Sequence, residues 1–237
     1  MGIDALGRVP VASSEEKSLS VLLMGVIGST AYGLAGPASD VDRLGVFAVP
    51  TVELHGLERP PESTVTYEPD VTLHEAAKFC RLALAGNPTV TELLWLPERL
   101  YETRTPLGVE LIALRGGFLS ARRVRDAYLG YATKQFRLLA NRDGGYDPRV
   151  AKHARHLMRL CHQGLRAYRT GEIKVELDDP QAFRDFGERV AAGDLGAARA
   201  MLAEHEAGFA AATTPLPDAP DVAPVEAWLR RVRLAFL

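Results

Sequence analysis

The spacing of apolar positions changes along the chain. Over the first hundred residues apolar side chains come in short runs and alternations, whereas beyond Pro97 they recur every three or four residues over long stretches. Residues 21–27 form a continuous, partly β-branched apolar run that predicts a buried strand. Gly28 and Ser29 break it, and a tight turn into a short helix over residues 30–34 is expected there. Leu44, Val46 and Ala48 alternate with other residues and predict a second strand over 40–49. Residues 51–63 are rich in Pro and Gly and read as a loop. Residues 64–72 return to extended character, with Pro69 confining them to an edge or a strand end.

Helical spacing begins at 73–85 and stops at Gly86-Asn87-Pro88, with a second short helix over 89–96. Residues 107–114, 120–141 and 148–169 carry long helical periodicity, the last two separated by the turn Arg142-Asp143-Gly144-Gly145. A short piece at 172–177, two modest helices, a Pro-rich linker over 213–224 and a closing helix over 225–236 complete the chain. The apolar stripe Ala227, Trp228, Val232, Leu234 and Ala235 predicts that this last helix docks on the body. Residues 1–18 are weakly patterned, with Ser13, Ser14 and Glu16 available to cap a turn. The expected fold is α+β: a small mixed β-sheet domain over 1–100, followed by a helical domain over 101–237.

Composition narrows the picture only a little. The 237 residues have the apolar and charged fractions of an ordinary globular protein. No apolar run approaches the length of a membrane span, and the first residues lack the basic and apolar regions of a secretory leader. The expected setting is therefore cytoplasmic, with no membrane partner. Cys80 and Cys161 are isolated, each within a predicted helix, and are expected to be buried free thiols. A net charge of −2 argues against non-specific coating of nucleic acid. The charge is uneven, however: residues 115–174 hold fourteen Lys or Arg against four Asp or Glu.

The densest chemistry lies in residues 21–50, VLLMGVIGSTAYGLAGPASDVDRLGVFAVP. Backbone N–H groups at the Gly28-Ser29 turn and the Ser29 hydroxyl suit a phosphate. On a strand, Asp40 and Asp42 share a face, where their carboxylates repel and raise each other's pKa. That cost makes most sense with a divalent cation between them, Mg²⁺ being commonly held by one or two carboxylates together with phosphate oxygens. An ordinary turn or a solvated strand end accounts for either half alone; both in order between two apolar strands point to the chemistry. Farther on, Lys152, His156 and Arg159 stand at i, i+4 and i+7 of one helix, a cationic face suited to phosphates, or else a solvated basic face. His153 and His162 fall off that face and read as structural.

The arrangement Gly28-Ser29, Gly33, Ser39-Asp40-x-Asp42 resembles the signature of the polymerase-beta nucleotidyltransferase superfamily. The longer form GSTAYGLAGPASDVDRLGVFAVP is similar to the branch associated with RNA-repair systems, and the resemblance extends over about residues 20–175. It implies a metal-dependent nucleotidyltransferase that moves a nucleoside monophosphate from a nucleoside triphosphate to an acceptor hydroxyl and releases pyrophosphate. Two Mg²⁺ (or Mn²⁺) ions are implied, held by Asp40, Asp42 and a third carboxylate. Asp70 is the choice for the third, with Glu68 as runner-up on the same expected strand. Gly28, Ser29, Ser39, Lys152, His156 and Arg159 are the expected nucleotide-binding residues. GNPTVTELLWLP and the positions Ser120, Arg122, Tyr131 and Lys134 also resemble the branch; Glu92 is expected to brace the site from behind or to be an ordinary helix-face carboxylate. An RNA end is the favoured acceptor. A protein side chain or a small molecule is the alternative, and a non-catalytic nucleotide-binding or regulatory protein of the same fold is the rival from another class.

Overall fold

The computed structural model describes residues 8–9, 19–37, 39–141 and 148–237. The proposed cap at Ser13, Ser14 and Glu16 and the turn Arg142-Asp143-Gly144-Gly145 lie outside the described residues. The fold is α+β, a mixed sheet followed by a helical region.

Among the described residues six strands form the sheet: β1 (Arg8–Val9), β2 (Leu19–Val26), β3 (Arg43–Ala48), β4 (Ser63–Tyr67), β5 (Asp70–Glu75) and β6 (Tyr101–Arg104). Their order is β1-β2-β3-β5-β4, with β6 also pairing along β2. β3 and β5 are parallel, and the other pairings are antiparallel. The apolar run of β2 is buried because it has neighbours on both edges and side chains packed on both faces. Leu44, Val46 and Ala48 point into the large core under the helices, whereas Phe47, Val49, Val71 and Leu73 form a smaller cluster on the opposite face.

Several expected boundaries move. The second strand begins at Arg43, so Asp40 and Asp42 lie in the approach to it rather than within it. Residues 64–72 are no single strand: β4 turns at Glu68-Pro69 into β5, because a proline without an N–H suits the turn better than the ladder. The alternation Val71, Leu73, Glu75 carries β5 through residues expected to be helical, and α2 (Ala76–Leu84) starts only where Glu75 caps the Ala77 N–H at 2.8 Å. β6 was not expected at all, and it joins the sheet just past residue 100.

Short α1 (Gly28–Tyr32) follows β2, and α3 (Pro88–Glu92) is capped by Asn87 with proline at its first turn. α4 (Pro106–Ala113), α5 (Ala121–Ala140), α6 (Pro148–Thr170), α7 (Pro180–Ala191) and α8 (Leu195–Ala211) follow. α6 packs against α5, α7 and α8 and buries Ala154, Leu157, Leu160, Cys161 and Ala167. α9 (Val222–Ala235) returns to α2 and α4, where the fully buried Trp228 donates its Nε1–H to the Leu107 carbonyl at 2.9 Å. Arg233 of the same helix donates to the buried Glu75 at 2.6 Å. Cys80 and Cys161 are buried free thiols. Among the described residues no helix is long and apolar enough to cross a membrane.

Candidate active site

The site grows from the ends of three neighbouring strands. The Ile27 N–H donates to the Asp42 carbonyl at 2.9 Å, extending the β2–β3 ladder one pair beyond Val26↔Arg43. The parallel register Arg43↔Val71, stepped back one residue, sets Asp42 beside Asp70. Backbone pairing alone thus brings Gly28, Asp42 and Asp70 together. The Asp42 pKa is raised by burial first and then by the neighbouring Asp70, with Lys152 opposing and Asp40 adding to the rise.

Gly28 has two reasons to be glycine. Its φ is +69°, and an added Cβ would collide with the Asp42 carboxylate. The close approach expected between this backbone and a phosphate is therefore also an approach to Asp42. α1 ends at Gly33, φ +77°, after which the N–H groups of Leu34 and Ala35 return to the Ser29 carbonyl at 2.8 and 3.0 Å.

A cleft of about 680 Å³ opens over these groups. Gly28, Ser29, Ser39, Asp40, Asp42 and Asp70 line its sheet side, and Lys152, His156 and Arg159 line it from α6. All nine residues singled out from the sequence thus meet in one cavity. Glu68 is exposed at the β4–β5 turn and does not line the cleft, whereas Asp70 does. Ser120, Arg122, Tyr131 and Lys134 are not among its lining residues either.

The α6 wall is not the cationic face that its spacing suggests. Lys152 is exposed. His156 is half-buried, and burial, reinforced by the positive charges of Arg159 and Lys152 and by the neighbouring His153, lowers its pKa to about 3, so the ring is neutral. Arg159 is only 1% exposed and is ion-paired to Glu92, itself fully buried. Helical spacing places these residues on one face, but it does not show how deep that face sits.

Glu92 occupies the bracing position. It accepts hydrogen bonds from the Tyr32 hydroxyl at 2.7 Å and from Arg159. Arg159 also donates to Gln163 at 2.7 Å and lies over the Tyr32 ring, 4.4 Å from its centroid. Gln163 in turn donates to the Lys174 carbonyl at 3.2 Å. This buried network joins α1, α3 and α6 behind the cleft. Burial raises the Tyr32 pKa well above its ordinary 10.0, which keeps the phenol protonated as a donor. Tyr32, Gln135, His153 and Arg155 also line the cavity and were missed; His153 Nδ1 and Gln135 Oε1 meet at 2.8 Å. The only sequence signal for His153 was its place next to Lys152.

Among the described residues, no three His, Cys, Asp or Glu side chains are gathered closely enough to hold a metal ion by themselves. Mg²⁺ and Mn²⁺ do not need that, since Mg²⁺ takes one or two carboxylates and completes its shell with water and substrate oxygens. Asp42 and Asp70 form an oxygen-only pair whose repulsion a cation would relieve, and Asp40 lines the same cleft. The residues present fit such an ion.

A family model described as RlaP, the RNA repair pathway DNA polymerase beta family, matches residues 8–196. No curated protein matches the chain.

Proposed function

Because the chain belongs to the RNA repair pathway DNA polymerase beta family, we propose that its cleft binds a nucleoside triphosphate and transfers the nucleoside monophosphate to an acceptor hydroxyl, an RNA end, with release of pyrophosphate. The observation that carries this reading is the meeting of Asp42 and Asp70 beneath the Gly28-Ser29 turn, across one cavity from Lys152. The sheet part, up to about residue 100, brings the carboxylates, and the helical part brings Lys152.

In this reading the Gly28-Ser29 turn and the Ser29 hydroxyl hold phosphate oxygens, and Lys152 offsets their charge. Asp40, Asp42 and Asp70 would hold two Mg²⁺ or Mn²⁺ ions, which would supply Lewis-acid stabilisation of the phosphates and acidify the acceptor hydroxyl. The acceptor oxygen attacks the α-phosphorus, the bond from that phosphorus to the pyrophosphate oxygen breaks, and the hydroxyl proton passes to an Asp70 carboxylate oxygen. Glu92, through Tyr32 and Arg159, keeps α1 and α6 in fixed relation. The RNA acceptor is supported by the family and by the excess of fourteen basic over four acidic residues in 115–174.

The test is incubation with α-labelled nucleoside triphosphates, Mg²⁺ or Mn²⁺, and a mixed pool of RNA and protein acceptors, comparing wild type with Asp40→Asn and Asp42→Asn. Label is expected on RNA with the wild type and on nothing with either variant, while both variants stay folded. Label on protein would move the acceptor assignment, and wild-type transfer by either variant would refute the assignment of these carboxylates.

A further inference from the structure

We propose that Arg159 is a positioning residue that holds His156 as an uncharged imidazole with its proton on Nε2, and that this N–H donates to a phosphate oxygen of the nucleotide. The inference rests on the reading of the cleft as a triphosphate site.

Arg159 has only donors to offer. One terminal nitrogen serves Glu92 and Gln163, and the other lies 3.3 Å from His156 Nδ1. That contact is favourable only if Nδ1 presents a lone pair. A neutral ring with an unprotonated Nδ1 carries its proton on Nε2. Nδ1 is taken up by the buried guanidinium, and His156 lines the cleft, so Nε2 is the ring nitrogen left to serve a ligand there.

Arg159 cannot easily swing aside. Glu92 and Gln163 grip it, the Tyr32 ring covers it, and it is 1% exposed. The groups that act on His156, namely Arg159, Lys152 and His153, all oppose a positive charge on the ring. Lys152, one helical turn away, therefore contributes the charge and His156 a neutral donor. Such a donor keeps its hydrogen bond through the neutral pH range and takes no part as a general acid there.

Two measurements test this. In long-range ¹H–¹⁵N spectra of the ¹⁵N-labelled full chain at pH 7, His156 is expected to show one protonated nitrogen, Nε2, and one unprotonated nitrogen, Nδ1. A charged ring, or a proton on Nδ1, overturns the inference. In the Arg159→Lys protein, if its spectrum is that of a folded chain, the His156 signals should move toward a mixture of tautomers; an unchanged pattern would overturn the role of Arg159. If that variant does not fold, the double variant Glu92→Gln, Arg159→Met, which strands no buried charge, carries the same measurement, and an unchanged His156 pattern there overturns the role of Arg159.

The second measurement is calorimetric titration with ATP, GTP, CTP and UTP in Mg²⁺. A Gln side chain carries its amide N–H₂ near the place of Nε2, whereas Asn reaches only as far as Nδ1. His156→Gln should keep affinity close to wild type, and His156→Asn should lose about tenfold, the scale of one hydrogen bond to a charged group. Equal binding by wild type and His156→Asn overturns this inference alone. A wild type that binds none of the four overturns the reading of the cleft and the ligand named here together, whatever tautomer the spectra show.

Discussion

Glu92→Gln isolates the charge of the buried pair from its hydrogen bonds. Glutamine keeps one oxygen for Arg159, and its N–H₂ group then meets the Tyr32 hydroxyl, which can turn and accept. The contact with Arg159 keeps its acceptor, the contact with Tyr32 persists with donor and acceptor exchanged, and the shape is unchanged. What is lost is the negative charge facing a guanidinium that is 1% exposed. An uncompensated buried charge of this kind costs about 3–5 kcal/mol, a large part of an ordinary protein's stability of about 5–15 kcal/mol. For a chain of 237 residues, that corresponds to a fall in melting temperature of roughly 6–20 °C, taking about 2–4 °C per kcal/mol. Urea titration should show a lower midpoint at unchanged slope, since the folded state stays equally compact. Arg159→Met should lose a comparable amount by leaving the Glu92 carboxylate alone, and the double variant should lose less than the sum of the two. A Glu92→Gln protein within about 1 kcal/mol of wild type would mean that the Arg159 charge does not depend on Glu92.

His156, with a folded pKa of about 3, stays neutral while the unfolded chain takes up a proton below about 6.5. Its contribution to stability is present above pH 6.5 and is lost as pH falls toward 3, so urea midpoints at pH 7 and pH 5 should differ less in His156→Gln than in wild type. Gly28→Ala should destabilise the protein and displace Asp42 even without nucleotide, because the φ of +69° and the carboxylate both exclude a Cβ; Gly36→Ala, with nothing within 4 Å of its added Cβ, should be near neutral by the same melts. If single-stranded RNA is guided by the basic segment, log affinity against log salt should slope by about −0.7 per phosphate neutralised. Replacing the exposed Arg122, Arg123 and Arg166 should make that slope shallower, and an unchanged slope would leave them as solvated surface.

The pattern of apolar residues was enough for β2, α5 and α6, since each is a long run with a single period and a buried side. It failed where periods meet. At Val71, Leu73 and Glu75 a two-residue alternation runs straight into the 3.6-residue spacing of α2, and only the cap on Ala77 decides where the strand ends. β6 is four residues of mixed polarity and exists because the edge of β2 is there to receive it. At the site, Gly28, Ser29, Asp40 and Asp42 were legible because they are close in sequence. Asp70 needed the knowledge that a third carboxylate was wanted, and the register of β3 on β5 then accounts for it. The pairing of Glu92 with Arg159 joins residues 67 apart in the chain. Nothing in local spacing marks such a partner, so Arg159 read as a phosphate ligand rather than as a buried support.

Transfer of a nucleoside monophosphate with release of pyrophosphate is distinguished from other phosphoryl chemistry by running the same reaction with triphosphate labelled at the α- and, separately, at the γ-position, and counting label on RNA against pyrophosphate released. One pyrophosphate is expected for each α-label incorporated, with no γ-label on the acceptor and neither product in Asp42→Asn. Transfer of the γ-label, or pyrophosphate release that Asp42→Asn leaves intact, would contradict that reading.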